Sequence, residues 1–303
     1  MEEFTILSGT ASAQLAASVA EILHARMAAC SISRFPDGEI AIQLNESVRG
    51  CAVFIIQSTC PPVDENLVEL LALVDACRRA DARRVSAIVP YFGYARADKR
   101  RGCREPVTAS MVATLMEAVG VDRLITVDLH APQIEGFFHI PVDNLSAVTL
   151  LCDALQARHQ LSPDTVVVSP DEGRVKTAAE YGRKLGCPVV VLHKERHGGS
   201  TTRVTHVVGD VRDRSCLIID DMISTGGTIA ESIHSLLQAG ARPEITIAAT
   251  HCLRLPGARK NLSHEAVRGI LATDTVHVIQ NAWPELQVIS TAPLLASAIS
   301  RCG

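Results

Sequence analysis

Asp220 and Asp221 stand together after the apolar run Cys216-Leu217-Ile218-Ile219, and Met222-Ile223 carry the chain on to Ser224-Thr225-Gly226-Gly227-Thr228 and a helix-period segment. At the start of a helix, the backbone N–H groups from Ser224 to Thr228 point at one anion. Gly226 and Gly227 permit its close approach and the hydroxyls add donors. Two carboxylates directly before such a cradle repel a second phosphate, yet they accept hydrogen bonds from sugar hydroxyls or hold a metal-bound sugar. A phosphorylated sugar satisfies both halves. The plainer alternative is a strand-to-helix turn whose acids complement the helix dipole.

Three further clusters carry chemical potential. Lys194 and Arg196 close an apolar run and open a glycine-containing loop, and strand alternation puts both cations on the same side. Opposite a phosphate cradle they neutralise transferring phosphoryl groups; on a plain surface they are a solvated pair. Arg96, Lys99, Arg100, Arg101 and Arg104 form a dense basic loop after the aromatic strand end Tyr91-Phe92. It suits a solvated face, RNA or a nucleotide triphosphate, and with the rest of the chain acidic the triphosphate is the better local partner. His130 follows Asp128 at one expected strand end and Asp171 stands at another, where active-site groups of open α/β sheets gather.

The elements that must position these residues alternate from end to end. Apolar runs at Cys51–Gln57, Val85–Tyr91, Leu124–Leu129, Thr165–Ser169, Val189–Leu192, Cys216–Asp220, Ile245–Thr250 and Val276–Gln280 read as strands buried on both faces. Helix-period segments separate them, such as Leu67, Leu70, Leu71, Val74 and Cys77, or Ile229, Ile233, Leu236 and Leu237 ending at Gly240. The fold class is therefore α/β, with mainly parallel sheets flanked by helices. A length of 303 residues at 47% hydrophobic content fills two cores. The division is set at 1–145 and 146–285, with 286–303 expected to pack back on the first domain.

A net charge of -4 gives no chain-wide positive field, so neither nucleic acid nor an anionic membrane is an expected partner. The ten cysteines are scattered, with no C-x-x-C pair, and read as reduced thiols of a cytoplasmic protein. The first residues show no signal-peptide pattern, and no apolar stretch is long enough for a membrane span.

The Asp220–Thr228 segment resembles the phosphoribosyl-diphosphate motif shared by type I phosphoribosyltransferases and ribose-phosphate diphosphokinases. The rest of the chain is similar to the diphosphokinases over almost its whole length. The similarity runs through Arg34-Phe35-Pro36-Asp37-Gly38-Glu39, Glu46-Ser47-Val48-Arg49, Ile56-Gln57-Ser58, Pro90-Tyr91-Phe92-Gly93-Tyr94-Ala95-Arg96, Arg104-Glu105-Pro106, Val127-Asp128-Leu129-His130-Ala131-Pro132-Gln133 and Ser169-Pro170-Asp171. The resemblance implies two similar phosphoribosyltransferase-type domains, ATP as co-substrate, Mg2+, a cytoplasmic homo-oligomer built from dimers into a hexamer or tetramer, and phosphoribosyl diphosphate as product. Carried over position by position, it makes Lys194 and Arg196 catalytic. It assigns ATP to Phe35, Asp37, Gly38, Glu39, Arg96, Ala97, Asp98, Lys99, Arg101 and His130. Ribose 5-phosphate falls to Arg196, Asp220, Asp221, Ser224, Thr225, Gly226, Gly227 and Thr228, and the diphosphate to the loop Asp171, Glu172, Gly173 and Arg174. Magnesium goes to His130, Asp171 and Asp128.

Some positions depart from the commonest pattern of that family. His139 stands where an aspartate is usual, Ala97 where a glutamine is, Arg174 where a glycine is, and Ser224 where an aspartate is. Arg174 is expected to crowd or supplement the diphosphate loop. Members regulated by phosphate and ADP carry a small hydroxyl residue in place of Asp81, whose carboxylate repels an effector phosphate. Ser47, Arg49 and Arg104 remain as possible allosteric contacts. The rival readings are a catalytically weak regulatory relative that binds nucleotide and associates with a true synthase, a phosphoribosyltransferase acting on a base, and an RNA-binding module using residues 96–104.

Overall fold

The computed structural model describes residues 4–100, 102–158, 160–196, 202–277 and 283–302, with backbone alone for 194–196 and 202–205. Two units share the chain: Met1–Ser146 with Thr275–His277 and Ser290–Gly303, and Ala147–Asp274 with Val278–Ile289.

The first unit opens with β1 (Phe4–Ser8) and α1 (Ala13–Leu23), then a hairpin of β2 (Cys30–Arg34) and β3 (Ile40–Leu44). It continues through β4 (Ala52–Ile56), α2 (Val63–Arg79), β5 (Arg84–Val89), α3 (Thr108–Val119), β6 (Arg123–Val127) and β7 (Val142–Leu145). The five-stranded sheet has the order β1-β4-β5-β6-β7 and every pair is parallel, so all strands end at one edge. The hairpin forms a separate antiparallel ribbon. Every residue of β4 is buried, as expected of a strand covered on both faces. On α2, Leu67, Leu70, Leu73, Val74 and Cys77 face the core, while Asp64 and Glu65 in the first turn and Arg78 and Arg79 in the last complement the helix dipole.

The second unit runs α4 (Val148–Ala157), β8 (Val166–Ser169), α5 (Val175–Leu185), β9 (Val189–Arg196), β10 (Thr202–Val208), β11 (Cys216–Ile223), α6 (Gly227–Gln238), β12 (Ile245–Cys252), α7 (Ala258–Leu262), β13 (Val267–Thr273) and β14 (Leu286–Ile289). The seven-stranded sheet has the order β10-β9-β8-β11-β12-β13-β14, parallel except for the antiparallel β9–β10 pair at its edge. The last helix, α8 (Ala292–Ser300), belongs to the first unit and packs on α1. No helix among the described residues is long and apolar enough to cross a membrane.

Two expectations need correction. Val276 and His277, read as the start of a strand, are in none, Val276 lying in a bend; the strand paired with β12 is β13, and 278–280 lie outside the described residues. The C-terminal segment 286–303 also divides, because Leu286–Ile289 pairs with β13 in the second unit and only Ser290 onward belongs to the first.

Candidate active site

In the second unit, β8, β9 and β11 run parallel and finish at one edge of the sheet. β11 pairs with β8 only from Cys216 to Ile218, while its pairing with β12 continues to Ile223. Asp220 and Asp221 therefore lie where one neighbour has left. The Asp221 N–H donates to Asp220 Oδ1 at 2.8 Å. Into the same place comes Arg174, last residue of a 3-10 turn over Glu172–Arg174 and N-cap of α5. Its Nη2 lies 2.8 Å from Asp221 Oδ2 and its Nε 3.7 Å from Asp220 Oδ1. Burial, then the neighbouring Asp221 carboxylate, push the Asp220 carboxyl well above the usual range, against the opposing pull of Arg174.

The cradle after β11 is fixed from behind. Gly226, the N-cap of α6, has φ 76°, and a Cβ there would stand 3.0 Å from Leu262 Cγ and 3.3 Å from the Ala258 carbonyl oxygen. Only glycine meets both conditions. Asn261 Nδ2 donates to the Thr225 carbonyl at 2.9 Å, tying the loop to α7. Having no side chain, Gly226 leaves the first N–H groups of α6 without a side-chain cap, and Thr225, Gly227 and Thr228 are exposed with Ser224 half-buried. Such an end suits an anion.

Beside it, Ser169 Oγ donates to the Asp171 carbonyl at 2.7 Å, and Glu172 Oε1 lies 3.0 Å from His193 Nδ1 on β9. The second unit thus gathers Asp171–Arg174, Asp220–Asp221 and Ser224–Thr228. Lys194 and Arg196 sit at the end of β9, where their backbones pair with Val204 and Thr202; their side chains lie outside the described residues.

The first unit makes its own group at the strand ends. The hairpin turn closes with the Phe35 N–H on the Glu39 carbonyl at 2.9 Å and the Gly38 N–H on the Phe35 carbonyl at 2.8 Å; the Glu39 N–H donates to Asp37 Oδ1 at 3.1 Å. Phe35 at its tip is 55% exposed, an aromatic face open to stacking. After β5, Tyr94 takes φ 63° and its hydroxyl bonds Asp64, while Arg96 and Lys99 are exposed and Ala97 is half-buried. Asp98 turns inward and accepts from Gln133 Nε2. Arg101 lies outside the described residues. After β6, Asp128 takes φ 41°, with its N–H on the Leu145 carbonyl at 2.8 Å and the Leu129 N–H on Asn144 Oδ1 at 3.1 Å, so the turn carrying half-buried His130 is pinned to β7.

Elsewhere in this unit, Ser47 Oγ accepts from the Arg49 N–H at 3.3 Å, and Arg49 Nη1 stands 3.9 Å from Asp81 Oδ2. Arg104 is exposed with φ 66°. His139 engages Glu117 through its backbone N–H and through Nδ1 at 3.1 Å.

Among the described residues no group of three or more His, Cys, Asp or Glu side chains could hold a metal ion by itself. Asp128 and His130 belong to the first unit and Asp171 to the second. Each unit thus offers a carboxylate of its own, with His130 beside that of the first, which suits an oxygen-preferring ion that arrives on substrate phosphates and needs few protein groups. Sequence reading found the acids and the cradle but not Asn261, Gln133 or Asn144, which hold the site loops in place. Nor did it find that Arg174 bonds the acid pair. Each acts on a residue remote in sequence, and although Gln133 and Arg174 stand within segments singled out above, nothing local marks these contacts.

Residues 4–120 match the N-terminal domain of ribose phosphate pyrophosphokinase, and residues 144–284 match the phosphoribosyl transferase domain. Ribose-phosphate pyrophosphokinase 1 of Spinacia oleracea is 43% identical over 298 residues, covering 98% of this chain and 88% of that one. The ribose-phosphate pyrophosphokinase of Haemophilus influenzae is 42% identical over 306 residues, covering 99% and 96%. The crystal structure of phosphoribosylpyrophosphate synthetase from Mycobacterium smegmatis aligns with a TM-score of 0.92 at 40% identity and covers 99% of both chains.

Proposed function

This chain belongs to the ribose-phosphate pyrophosphokinase family and is an enzyme of that class with two phosphoribosyltransferase-type domains, and from that premise we propose how its residues divide the work. The C1 hydroxyl oxygen of ribose 5-phosphate forms a bond to the β-phosphorus of ATP. The bond from that phosphorus to the oxygen bridging to the α-phosphorus breaks, and AMP leaves with that oxygen as the hydroxyl proton is released. No covalent enzyme intermediate forms. Asp220 and Asp221 orient the ribose hydroxyls, and Ser224, Thr225, Gly226, Gly227 and Thr228 hold the 5-phosphate. The loop Asp171–Arg174 receives the diphosphate, while Lys194 and Arg196 stabilise its charge in transit.

Phe35, Asp37, Gly38 and Glu39 recognise the adenine end of ATP, and Arg96, Lys99 and Arg101 meet the triphosphate, with Ala97, Asp98 and His130 completing that face. Asp128, His130 and Asp171 would hold Mg2+, which supplies charge neutralisation on the phosphates. Positioning and electrostatics do the catalysis. On family membership we assign a homo-oligomer built from dimers, a hexamer or tetramer. Ten free cysteines suit a reducing compartment, so we place the protein in the cytoplasm.

One observation carries this reading: an acid pair on β11, Asp221 buried and Asp220 half-buried, leads directly to the uncapped start of α6 at Gly226. The test is incubation with Mg2+, ATP and ribose 5-phosphate while AMP is followed with and without the sugar. AMP that depends on the sugar is expected; AMP or ADP formed equally without it points to a different reaction.

A further inference from the structure

Adjacent residues of a strand project to opposite faces of a sheet, so one side chain seldom reaches both. Arg174 does so because pairing between β8 and β11 stops at Ile218, two residues before Asp220, and the chain leaving β8 turns into that gap. The guanidinium touches one oxygen of each carboxylate, and its side chain is only 15% exposed. Asp220 Oδ1 is fixed from the other side by the Asp221 N–H. Left alone, two buried carboxylates this close share a proton, and a protonated carboxyl is a donor as well as a weaker acceptor. An arginine stays charged at every working pH and its planar fork suits two carboxylates at once.

We propose that Arg174 is a positioning residue of the sugar site, its guanidinium spanning Asp220 and Asp221 so that the pair stands as two oriented acceptors for vicinal ribose hydroxyls. The inference rests on the reading of β11 as the ribose-binding strand and deepens it, because it makes Arg174 a determinant of which pentose phosphate is accepted. A sugar with both hydroxyls satisfies both acceptors, whereas a 2-deoxy sugar leaves one of them unmatched in a buried place, which the site then rejects. The role lies in ground-state recognition, so it acts on KM for the sugar more than on turnover.

Arg174→Gln, assayed with Mg2+ and ATP on ribose 5-phosphate and on 2-deoxyribose 5-phosphate, tests this. The expected result is a rise of about tenfold or more in KM for ribose 5-phosphate and a smaller rise for the deoxy sugar, so that the preference for ribose falls, while any loss of kcat through the diphosphate loop falls on both sugars alike. An unchanged sugar preference, or a loss confined to kcat, overturns the assignment. Should Arg174→Gln fail to fold, Arg174→Lys decides by the same ratio. An ammonium keeps the charge but not the two-point span, so a fall of about threefold supports the role and an unchanged ratio overturns it. Wild-type protein forming no sugar-dependent AMP removes the parent reading and this one together. Active wild type with an unaltered ratio in the variant removes only Arg174.

Discussion

Asp220 sits where charge is costly: burial and the adjacent Asp221 carboxylate oppose its ionisation, while Arg174 and the Asp221 N–H favour it. With both acids ionised, the three side chains sum to one negative charge in a buried place, and replacing Asp220 by asparagine brings that sum to zero. Asp220→Asn should therefore stabilise the protein by about 1 kcal/mol, on the order of 2 °C in Tm. The same change removes the acceptor proposed for a ribose hydroxyl and, on that proposal, should lower kcat/KM for ribose 5-phosphate by about tenfold or more. A melting curve beside a steady-state assay checks both halves; a lower Tm would mean that the carboxylate is held by contacts worth more than its burial costs. Lys194 at the end of β9 should behave differently, because its proposed role is confined to the transition state. Lys194→Ala is expected to reduce turnover by roughly 100-fold or more while Tm stays near wild type. Near-normal turnover would remove Lys194 from the catalytic assignment.

Between elements, Glu117 on α3 joins the helix to the chain entering β7, accepting from the His139 and Ile140 N–H groups and facing His139 Nδ1. Burial works to raise its pKa but is outweighed by the two backbone donors and by His139, so the carboxyl titrates below its ordinary 4.5. A lowered folded-state pKa gives stability that is fully present above the unfolded value and disappears as the pH falls through the folded one. Glu117→Gln should cost about 1 kcal/mol in urea unfolding at neutral pH, with the gap from wild type closing as the pH falls below the ordinary carboxylate range. A gap that persists unchanged in acid would show that the side chain acts by packing and not by charge. At this scale the sequence was legible where a strand is covered on both faces: the apolar runs around Ala52–Ile56, Cys216–Ile223 and Ile245–Cys252 are fully or largely buried strands. It was misleading where apolar content and role part company. β13 contains Arg268 and Gly269 and was passed over, while Val276 is buried without being in a strand. The short half-buried β7 and β14 carried too little pattern to stand out. Site residues followed the same rule, since Asp220 to Thr228 form one local motif, whereas Arg174 reaches the acid pair only through the pairing of β8 with β11.

On the scale of the whole molecule, the first unit is not one continuous stretch of chain. Its last helix arrives only after the second unit has been completed at Ile289. α8 buries Leu295 and Ile299 completely or nearly so, with Ala292, Ala296 and Ala298 beside them, and it packs on α1. Burying two such large side chains contributes about 3–6 kcal/mol, which is comparable with the net stability of a small domain. A fragment ending at residue 146 loses that contribution and exposes the apolar surface of α1 that α8 covered. It should therefore show no cooperative thermal transition, although it keeps every strand of the five-stranded sheet. Joining residues 290–303 to the same fragment through a flexible Gly/Ser linker should restore a cooperative melt, because closing such a loop costs far less than the burial returns. Circular dichroism melts of the two fragments make the comparison. If the fragment ending at 146 melts as sharply and as high as the linked one, α8 is an ornament on a unit that the first 146 residues already complete.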